Sequence, residues 1–284
     1  MSLPGFYRII RPANSVVAGL AAALAYLLAT GTLVPGVILP VAVVILVTGA
    51  GNTINDYFDL PIDRINRPAR PLPSGQITPG QALWFAAFLF VAGIGISLFT
   101  TPICIFFAVV NSVVLITYAA RLKTTPFLGN VAVAYLSGSI FLFGGGFAGL
   151  AGLFNNIVIA VMTFLAMVAR EIMKDAEDVP GDLTKGAKTL PIIYGIRKAT
   201  LAAVIFSLGA IAISFFPFYR WGIWYLAGII PVDLIILYAA VSSARCREPE
   251  CIAGSRATDI IKYGMFASLV VFTISAIFLT IPGT

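Results

Sequence analysis

Histidine is absent from this chain, cysteine occurs three times in 284 residues, and charged residues make up only 11% of it. The absence of histidine excludes Ser-His-Asp and Cys-His hydrolytic mechanisms and argues against a zinc site. An odd cysteine count gives no disulfide framework, so we interpret the C-x4-C pair of Cys246 and Cys251 as incidental. The scarcity of charge matters most, because charged residues normally cover a water-facing surface.

Apolar sequence is what the chain has in excess, with 60% hydrophobic residues and a mean hydropathy of +0.99. A soluble domain of this size cannot hide so much apolar surface from water, so lipid must be the solvent for most of it. The net charge of +6 fits basic loops beside a membrane better than nucleic-acid binding. Arg8 and Arg11 precede a long apolar run without a cleavage site, which predicts a retained helix, not a signal peptide.

Nine apolar runs are long enough to cross a bilayer, which takes about 20 residues per helix. They predict an all-α, multi-pass membrane protein that forms a single membrane-embedded domain over residues 1–284. The runs lie near residues 13–30, 36–55, 80–99, 103–120, 128–149, 154–173, 199–216, 221–242 and 260–280.

The basic residues give these predicted helices an orientation. With the N-terminus inside, 17 of the 18 lysines and arginines fall on the inner side, and only Arg220 falls outside. This is the bias that the positive-inside rule predicts. We therefore expect the N-terminus and the aspartate-rich loops in the cytoplasm. Nine spans place the C-terminus on the outer side.

Six aspartates form a repeated motif, Asp-x-x-Asp-x-Pro-x-Asp, within residues 55–75 and 174–191. The first copy contains Asp56, Asp59 and Asp63, and the second contains Asp175, Asp178 and Asp182. Four predicted helices separate the copies, so both should emerge on the same side of the membrane. The spacing puts the carboxylates of each copy on one helix face, and the proline should kink or end the helix.

Clustered carboxylates repel one another, so two such clusters indicate a bound cation. Oxygen ligands without histidine or thiolate favour Mg²⁺, which combines a few carboxylates with substrate phosphates. The alternative is an ordinary polar loop with solvated charges, which the duplication argues against. Basic residues near the motifs are candidates to hold a diphosphate, namely Arg64, Arg67, Arg70, Lys174, Lys185 and Lys188.

Residues 55–75, NDYFDLPIDRINRPARPLPSG, resemble the first signature of the UbiA superfamily of intramembrane prenyltransferases, and residues 174–182, KDAEDVPGD, resemble the second. The resemblance implies two pseudo-repeated four-helix units around a central cavity, plus a ninth helix. It also implies Mg²⁺-dependent prenyl transfer from an allylic diphosphate through a carbocation-like transition state, with Asp59 and Asp178 catalytic. The implied metal ligands are Asn55, Asp56, Asp59, Asp63, Asp175, Asp178 and Asp182.

The family also has a tyrosine followed four residues later by a lysine, after its fourth helix. Here the tyrosine is Tyr118, and Leu122 occupies the position of the lysine. Arg121 and Lys123 flank that position, so the resemblance implies a catalytic or diphosphate-contacting role for Tyr118 and for one of these two basic residues.

Several polar residues and glycines within the predicted helices need separate interpretation. Asn52 lies one turn before Asp56 on the motif face, and Asn14 lies near the start of the first helix. We predict that both contact the diphosphate. Asp233 lies inside the eighth span without an assigned role, and glycines 144–146 predict close helix packing.

Within the superfamily, residues 66–75 and 170–178 most resemble archaeal digeranylgeranylglyceryl phosphate synthases. This implies that geranylgeranyl diphosphate is the donor and that the acceptor is the hydroxyl of geranylgeranylglyceryl phosphate, in ether-lipid synthesis. The phosphate of that acceptor would use some of the spare basic residues. Aromatic acceptors are the alternative, namely 4-hydroxybenzoate, a quinone precursor, haem or chlorophyllide.

Two other classes of membrane protein share some of these features. A cation-coupled transporter is compatible with nine spans and buried acids, but its site usually lies near the bilayer midplane, whereas these acids cluster at helix ends. A CDP-alcohol phosphotransferase requires an Asp-Gly-x-x-Ala-Arg core, which is missing. The predicted partners are therefore two lipid substrates and the bilayer, with no nucleic acid and no obligate protein partner.

Overall fold

A computed structural model of the chain describes residues 3–184 and 186–279, and these residues form helices and loops without any β-strand. The nine long helices are α2 (Pro12–Thr30), α3 (Ile38–Asn66), α4 (Pro79–Ser97), α5 (Pro102–Ala120), α6 (Leu128–Gly146), α7 (Leu150–Glu177), α10 (Ile196–Ser214), α11 (Phe218–Ala244) and α13 (Ala257–Leu279). The short elements are α1 (Leu3–Ile9), α8 (Val179–Thr184), α9 (Leu190–Tyr194), α12 (Pro249–Ser255) and 3₁₀ turns at Pro35–Val37 and Leu122–Thr124.

Within the described ranges, nine helical segments are long and apolar enough to cross a membrane, so the predicted all-α fold and span number are confirmed. The two motif prolines behave differently. α3 continues through Pro61 to Asn66, so this proline does not end the helix and removes only one backbone hydrogen bond from it. α7 ends at Glu177, and Pro180 lies in the first turn of α8, where a proline is tolerated.

Threonine residues fix where two of the long helices begin. Thr78 Oγ1 accepts a hydrogen bond from the N–H of Gln81, whose side chain accepts one from the Thr78 N–H at 2.9 Å. This capping box starts α4. Thr101 Oγ1 accepts from the Cys104 N–H at 3.3 Å and starts α5. A proline follows each threonine in the first turn of the helix. A backbone N–H at this position would have no partner within the helix, so the proline costs no hydrogen bond there.

Residues 1–121 and 140–154 form one compact unit, in which α3 packs against α2, α4 and α5. A second, smaller core joins α1 to the loop that follows α3, through Ile9, Leu72 and Ile77. Burial of this core fixes the position of both segments beside the end of α3. The main core of the unit consists of Ala22, Val43, Val47, Ala50, Ile54, Ala86, Leu89, Phe90, Cys104, Phe107, Ala108, Ala119 and Phe143.

Residues 122–139 and 155–284 form the other compact unit, in which α11 packs against α10 and α13. Asp233 in α11 accepts a hydrogen bond from the Ser214 hydroxyl at 2.6 Å, and the Tyr225 hydroxyl donates to the Ser214 carbonyl at 2.7 Å. Asp233 therefore has a structural partner at the end of α10. The core of this unit is rich in alanine and consists of Ala134, Val168, Ala169, Ile172, Met173, Ala199, Ala203, Ala239, Ala240, Ala257 and Ile261.

Cys246 and Cys251 are joined by a disulfide, so the interpretation of this pair as incidental is wrong. The physical reason is the short turn between α11 and α12, which brings the two Cα atoms to 5.4 Å, within the range that a disulfide requires. Cys246 is buried with Ala176 and Ile252, so the bond also lies against the end of α7.

The predicted close packing at glycines 144–146 is confirmed at Gly144 in the first unit. A Cβ added there would overlap the backbone carbonyl of Ala22 and would lie 2.5 Å from the Cβ of Ala25, both in α2. We expect Gly144→Ala to lower the unfolding free energy by about 1–3 kcal/mol, because the added methyl group overpacks the interface. Denaturant unfolding in detergent micelles measures this change.

Gly95→Ala is the matched control, since a Cβ at Gly95 in α4 meets no atom within 4 Å. Alanine is also the better helix former, so stability should be unchanged or slightly higher. Equal destabilisation by the two substitutions would contradict the close approach of α2 and the end of α6.

Candidate active site

The first aspartate motif occupies the end of α3, where its polar side chains form two sets. Asn55 Nδ2 donates a hydrogen bond to Asp59 Oδ2 at 2.8 Å, as the i, i+4 spacing allows. Asp56 and Asp63 lie on an adjacent face, with side chains only 4% and 7% exposed. One set therefore pairs an amide with a carboxylate, and the other consists of two buried carboxylates.

Two arginines neutralise the buried carboxylates. Arg11 Nη2 lies 2.5 Å from Asp56 Oδ1, and Arg70 Nη1 lies 3.3 Å from the same oxygen. Arg70 also forms an ion pair with Asp63 Oδ2. A buried charge is strongly unfavourable unless it is paired, so this network explains how both acids are accommodated. Each carboxylate uses a single oxygen in these ion pairs.

The backbone around Arg11 places its side chain beside α3. Arg11 lies between α1 and α2 with φ 49° and ψ 70°, a left-handed conformation that is strained for a residue with a side chain. Asn52 Nδ2 donates to the carbonyl of Ile10 at 3.0 Å, and Arg8 Nη2 donates to the carbonyl of Ala69 at 3.2 Å. In the sequence, Arg8 and Arg11 stand out only as basic residues before the first span, and no motif marks them as site residues.

The loop after α3 positions Arg70 through backbone hydrogen bonds. The Ser74 N–H donates to the Arg70 carbonyl at 3.0 Å, and the Arg67 N–H donates to the Asp63 carbonyl at 2.9 Å. Gly75, with φ 73°, supplies the left-handed residue that this turn requires. The sequence following the aspartates thus folds back onto the helix that carries them.

The second motif spans the end of α7, α8 and the loop that follows. Asn130 Nδ2 donates to Asp175 Oδ2 at 2.8 Å, and Asn130 is itself buried. The backbone N–H of Asp178 donates to the Lys174 carbonyl, and the Asp182 N–H donates to the Asp178 carbonyl, both at 2.9 Å. Asn130 was also missed, although an asparagine inside an apolar run was a detectable signal.

A small cavity of about 200 Å³ opens beside the second motif. The Thr258 hydroxyl donates to Glu177 Oε2 at 3.0 Å at this cavity, and Arg170 forms an ion pair with Glu171 at 2.5 Å. Arg170 Nε is buried without a hydrogen-bond partner. We call this the second-motif cavity, and it is lined by Arg170, Lys174, Glu177, Asp178, Ala253, Arg256, Thr258 and Asp259.

Comparison with known proteins identifies the family to which these two motifs belong. The model of the UbiA prenyltransferase family matches residues 16–278, which is most of the chain. The chain belongs to the UbiA prenyltransferase family. It is therefore a multi-pass membrane enzyme, and both aspartate motifs lie inside the matched region.

Relatives and solved structures of this family are similar over nearly the full length. Digeranylgeranylglyceryl phosphate synthase of Methanoregula boonei is 58% identical over 279 residues, which cover 98% of this chain and 100% of that protein. A solved structure described as digeranylgeranylglyceryl phosphate synthase in membranes has a TM-score of 0.88 at 34% identity, covering 98% of this chain and 99% of that one. A UbiA homolog from Archaeoglobus fulgidus, bound to DMAPP and Mg²⁺, has a TM-score of 0.68 at 17% identity, covering 93% and 99%, and supports the fold alone.

The remaining predicted site residues of this UbiA chain are placed as follows. Tyr118 lies half-buried near the end of α5, Arg121 follows that helix, and Lys123 lies in the 3₁₀ turn. Asn14 is exposed in the first turn of α2. Lys185 lies outside the described residues. The roles predicted for these side chains stay predictions.

The donor atoms near the motifs suit a hard divalent cation. In residues 3–184 and 186–279, no three acidic, cysteine or histidine side chains gather into one ion-binding group. The oxygen donors instead come as pairs of carboxylate and amide, Asp59 with Asn55 and Asp175 with Asn130. Mg²⁺ characteristically takes one or two carboxylates and completes its shell with substrate phosphates and water, so such pairs fit it.

Proposed function

We propose that this UbiA enzyme transfers the geranylgeranyl group of geranylgeranyl diphosphate to the free hydroxyl of geranylgeranylglyceryl phosphate, which builds an archaeal ether lipid. The observation that supports the acceptor most strongly is the 58% identity, over the whole length, to the Methanoregula boonei protein named digeranylgeranylglyceryl phosphate synthase. The structural likeness at a TM-score of 0.88 to a synthase of the same name supports it further.

The carboxylates of the two motifs are proposed to hold Mg²⁺ against the diphosphate of the donor. The metal supplies positive charge to the departing diphosphate and so lowers the barrier to breaking the allylic C–O bond. The Archaeoglobus fulgidus homolog, which shares this fold, is itself bound to DMAPP and Mg²⁺. The proposed ligands are Asn55, Asp56, Asp59, Asp63, Asp175, Asp178 and Asp182.

The basic residues complete the diphosphate site in this proposal. Arginine forks and lysine ammonium groups bind the phosphate oxygens that the metal leaves open. Tyr118 and Lys123 are proposed to contact the leaving group. The other proposed phosphate contacts are Asn14, Asn52, Arg64, Arg67, Arg70, Arg121, Lys174, Lys185 and Lys188.

The proposed reaction breaks the C–O bond between the allylic carbon and the diphosphate and forms a C–O bond to the acceptor hydroxyl. The hydroxyl proton leaves with the released diphosphate, so charge and atoms balance. Water would capture the cationic carbon, so the reaction needs an apolar surrounding, which the helices of this chain supply with their dominant aliphatic and aromatic side chains.

Both motifs are proposed to face the cytoplasm, with the C-terminus outside. With this orientation, 17 of the 18 lysines and arginines lie on the cytoplasmic side. This distribution supports the orientation, because lysine and arginine favour the cytoplasmic side. A cysteine placed at the exposed Arg67 should react with a membrane-impermeant thiol reagent only in inside-out vesicles. Labelling in right-side-out vesicles would contradict the orientation.

A transfer assay tests the proposed reaction directly. Purified protein in lipid nanodiscs receives radiolabelled geranylgeranyl diphosphate with one acceptor per reaction, either geranylgeranylglyceryl phosphate or an aromatic candidate. We expect labelled ether product with the glycerol lipid alone, loss of all product with EDTA, and recovery on adding Mg²⁺. Product with 4-hydroxybenzoate and none with the glycerol lipid would contradict the acceptor, and transfer that survives EDTA would contradict the metal.

A further inference from the structure

The turn between α11 and α12 is closed covalently by the disulfide of Cys246 and Cys251. Cys246 is buried, whereas Cys251 is exposed in the first turn of α12, so water and small solutes can reach it. The sequence separation of the two cysteines is only five residues. A loop this short restricts the unfolded chain much less than a long one, so the main effect of the bond should be local.

The disulfide packs against the end of α7, the helix that carries the start of the second aspartate motif. Cys246 and Ile252 form a buried cluster with Ala176, and Ile196 packs against this cluster. Ala176 directly follows Asp175, one of the proposed metal ligands. The position of this aspartate therefore depends on the contacts around Cys246.

α12 and the start of α13 also contact the motif. The Thr258 hydroxyl donates to Glu177 Oε2 at 3.0 Å, and Glu177 directly precedes Asp178. Ala253 and Arg256 lie with Asp178 in the lining of the second-motif cavity. The last carbonyls of a helix lack intrahelical partners and its last turn frays easily, so outside contacts decide how firmly that turn is held. The segment after the disulfide supplies such contacts to α7.

The location of the disulfide favours a reversible bond over a permanent one. Its loop joins the eighth and ninth candidate spans of the described chain, so in the proposed orientation it faces the cytoplasm together with both motifs. Thiols keep most cysteines reduced in that compartment, and the disulfides that do form there are usually transient and often redox-sensing. The exposed Cys251 offers the sulfur atom that an external thiolate can attack.

We propose that the Cys246–Cys251 disulfide is a redox switch, which holds the last turn of α7 firmly when oxidised and loosens it when reduced. Reduction should weaken Mg²⁺ binding, because a metal ligand binds less well when the contacts that orient it are lost. This inference rests on the proposed function, since it takes Asp175 and Asp178 as Mg²⁺ ligands, and it adds a means of regulating the same site. Both cysteines act as positioning residues, through α7.

The chemistry of the switch is thiol–disulfide exchange with a cytoplasmic thiol. Its thiolate attacks Cys251 Sγ, the S–S bond breaks, and the electron pair leaves with Cys246 Sγ, which takes up a proton. A second external thiolate attacks the external sulfur of the mixed disulfide and releases Cys251 Sγ, which is protonated in turn. The protein disulfide gains two electrons, and two external thiols become one disulfide. A low-molecular-weight disulfide reverses both steps.

The test compares purified protein in lipid nanodiscs in three states: oxidised, reduced with dithiothreitol, and reoxidised with oxidised glutathione. A gel shift with a maleimide–polyethylene glycol reagent measures the free thiols. On reduction, the Mg²⁺ concentration for half-maximal prenyl transfer should rise about tenfold, while kcat at saturating Mg²⁺ stays within about twofold. Reoxidation should restore the first value. An unchanged Mg²⁺ requirement after complete reduction would overturn the inference, as would a disulfide that excess reduced glutathione cannot open.

Three variants identify the origin of the response. Cys246→Ser combined with Cys251→Ser should behave as the reduced protein and ignore dithiothreitol. Thr258→Val keeps the disulfide but removes the hydrogen bond to Glu177, so it should raise the Mg²⁺ requirement several-fold by itself. Cys104→Ala is the matched control, because Cys104 is a buried free cysteine in the other compact unit, and it should retain the full response. Loss of the response in this control would contradict the switch.

Hydrogen–deuterium exchange measures the loosening without any enzyme assay. Reduction should speed amide exchange about tenfold in residues 171–178 and leave α3 unchanged. Equally faster exchange in all helices would indicate general destabilisation and overturn the switch. Local loosening in a protein that prenylates no acceptor would contradict the proposed function and leave the redox control of α7 standing. Normal transfer, with neither exchange nor Mg²⁺ requirement altered by reduction, would overturn the switch alone.

Discussion

Alanine at Asp59 or at Asp178 is expected to abolish prenyl transfer and to leave the protein folded. Each residue is the middle aspartate of its motif, and each is proposed to ligate the metal that neutralises the departing diphosphate. Removing such a ligand should lower kcat by about 10³-fold, equivalent to about 4 kcal/mol of transition-state stabilisation. Asp59 is partly exposed and Asp178 is exposed, so neither side chain contributes to a hydrophobic core.

The measurement is kcat over a titration of Mg²⁺, with circular dichroism and gel filtration as checks on folding. Glu250→Ala is the matched control, because Glu250 is an exposed acid in the first turn of α12, outside both motifs. It should retain full activity. Wild-type turnover by Asp59→Ala or Asp178→Ala at saturating Mg²⁺ would contradict the proposal that these residues are metal ligands.

The helices and the motifs could be predicted because both depend on local sequence. A run of about 20 apolar residues specifies a spanning helix wherever it occurs, so the nine spans follow from hydropathy. The i, i+7 spacing likewise places Asp56 and Asp63 together, where they share Arg70, whereas Asp59, predicted for the same face, pairs with Asn55 instead. The extension of α3 through Pro61 could not be predicted, since a proline is compatible with either a continued or an ended helix.

The partners of the aspartates depend on tertiary contacts that no local pattern encodes. Arg11 reaches Asp56 across 45 residues, because a left-handed backbone and the packing of α1 direct it there. Asn130 reaches Asp175 over the same separation. The disulfide of Cys246 depends on a turn whose geometry the C-x4-C spacing leaves undetermined. Proximity in the sequence indicated Arg70 as a basic residue near the acids, but it gave no sign of Arg11.

Replacing Arg70 by leucine is expected to destabilise the protein by about 3–5 kcal/mol, the usual cost of breaking a buried ion pair by removing one partner. The Arg70 side chain is 18% exposed and pairs with both Asp56 and Asp63. Asp56 would keep Arg11, but Asp63 would lose its partner while its side chain remains 7% exposed. Equilibrium unfolding in mixed detergent micelles, followed by circular dichroism, measures the change in free energy.

A double-mutant cycle identifies the source of that loss. If an unpaired Asp63 causes it, Arg70→Leu combined with Asp63→Leu should be more stable than Arg70→Leu alone, because no buried charge is left uncompensated. Arg64→Leu, an exposed arginine next to Asp63, is the control and should change stability by less than about 0.5 kcal/mol. If the two effects simply add, Asp63 and Arg70 do not interact.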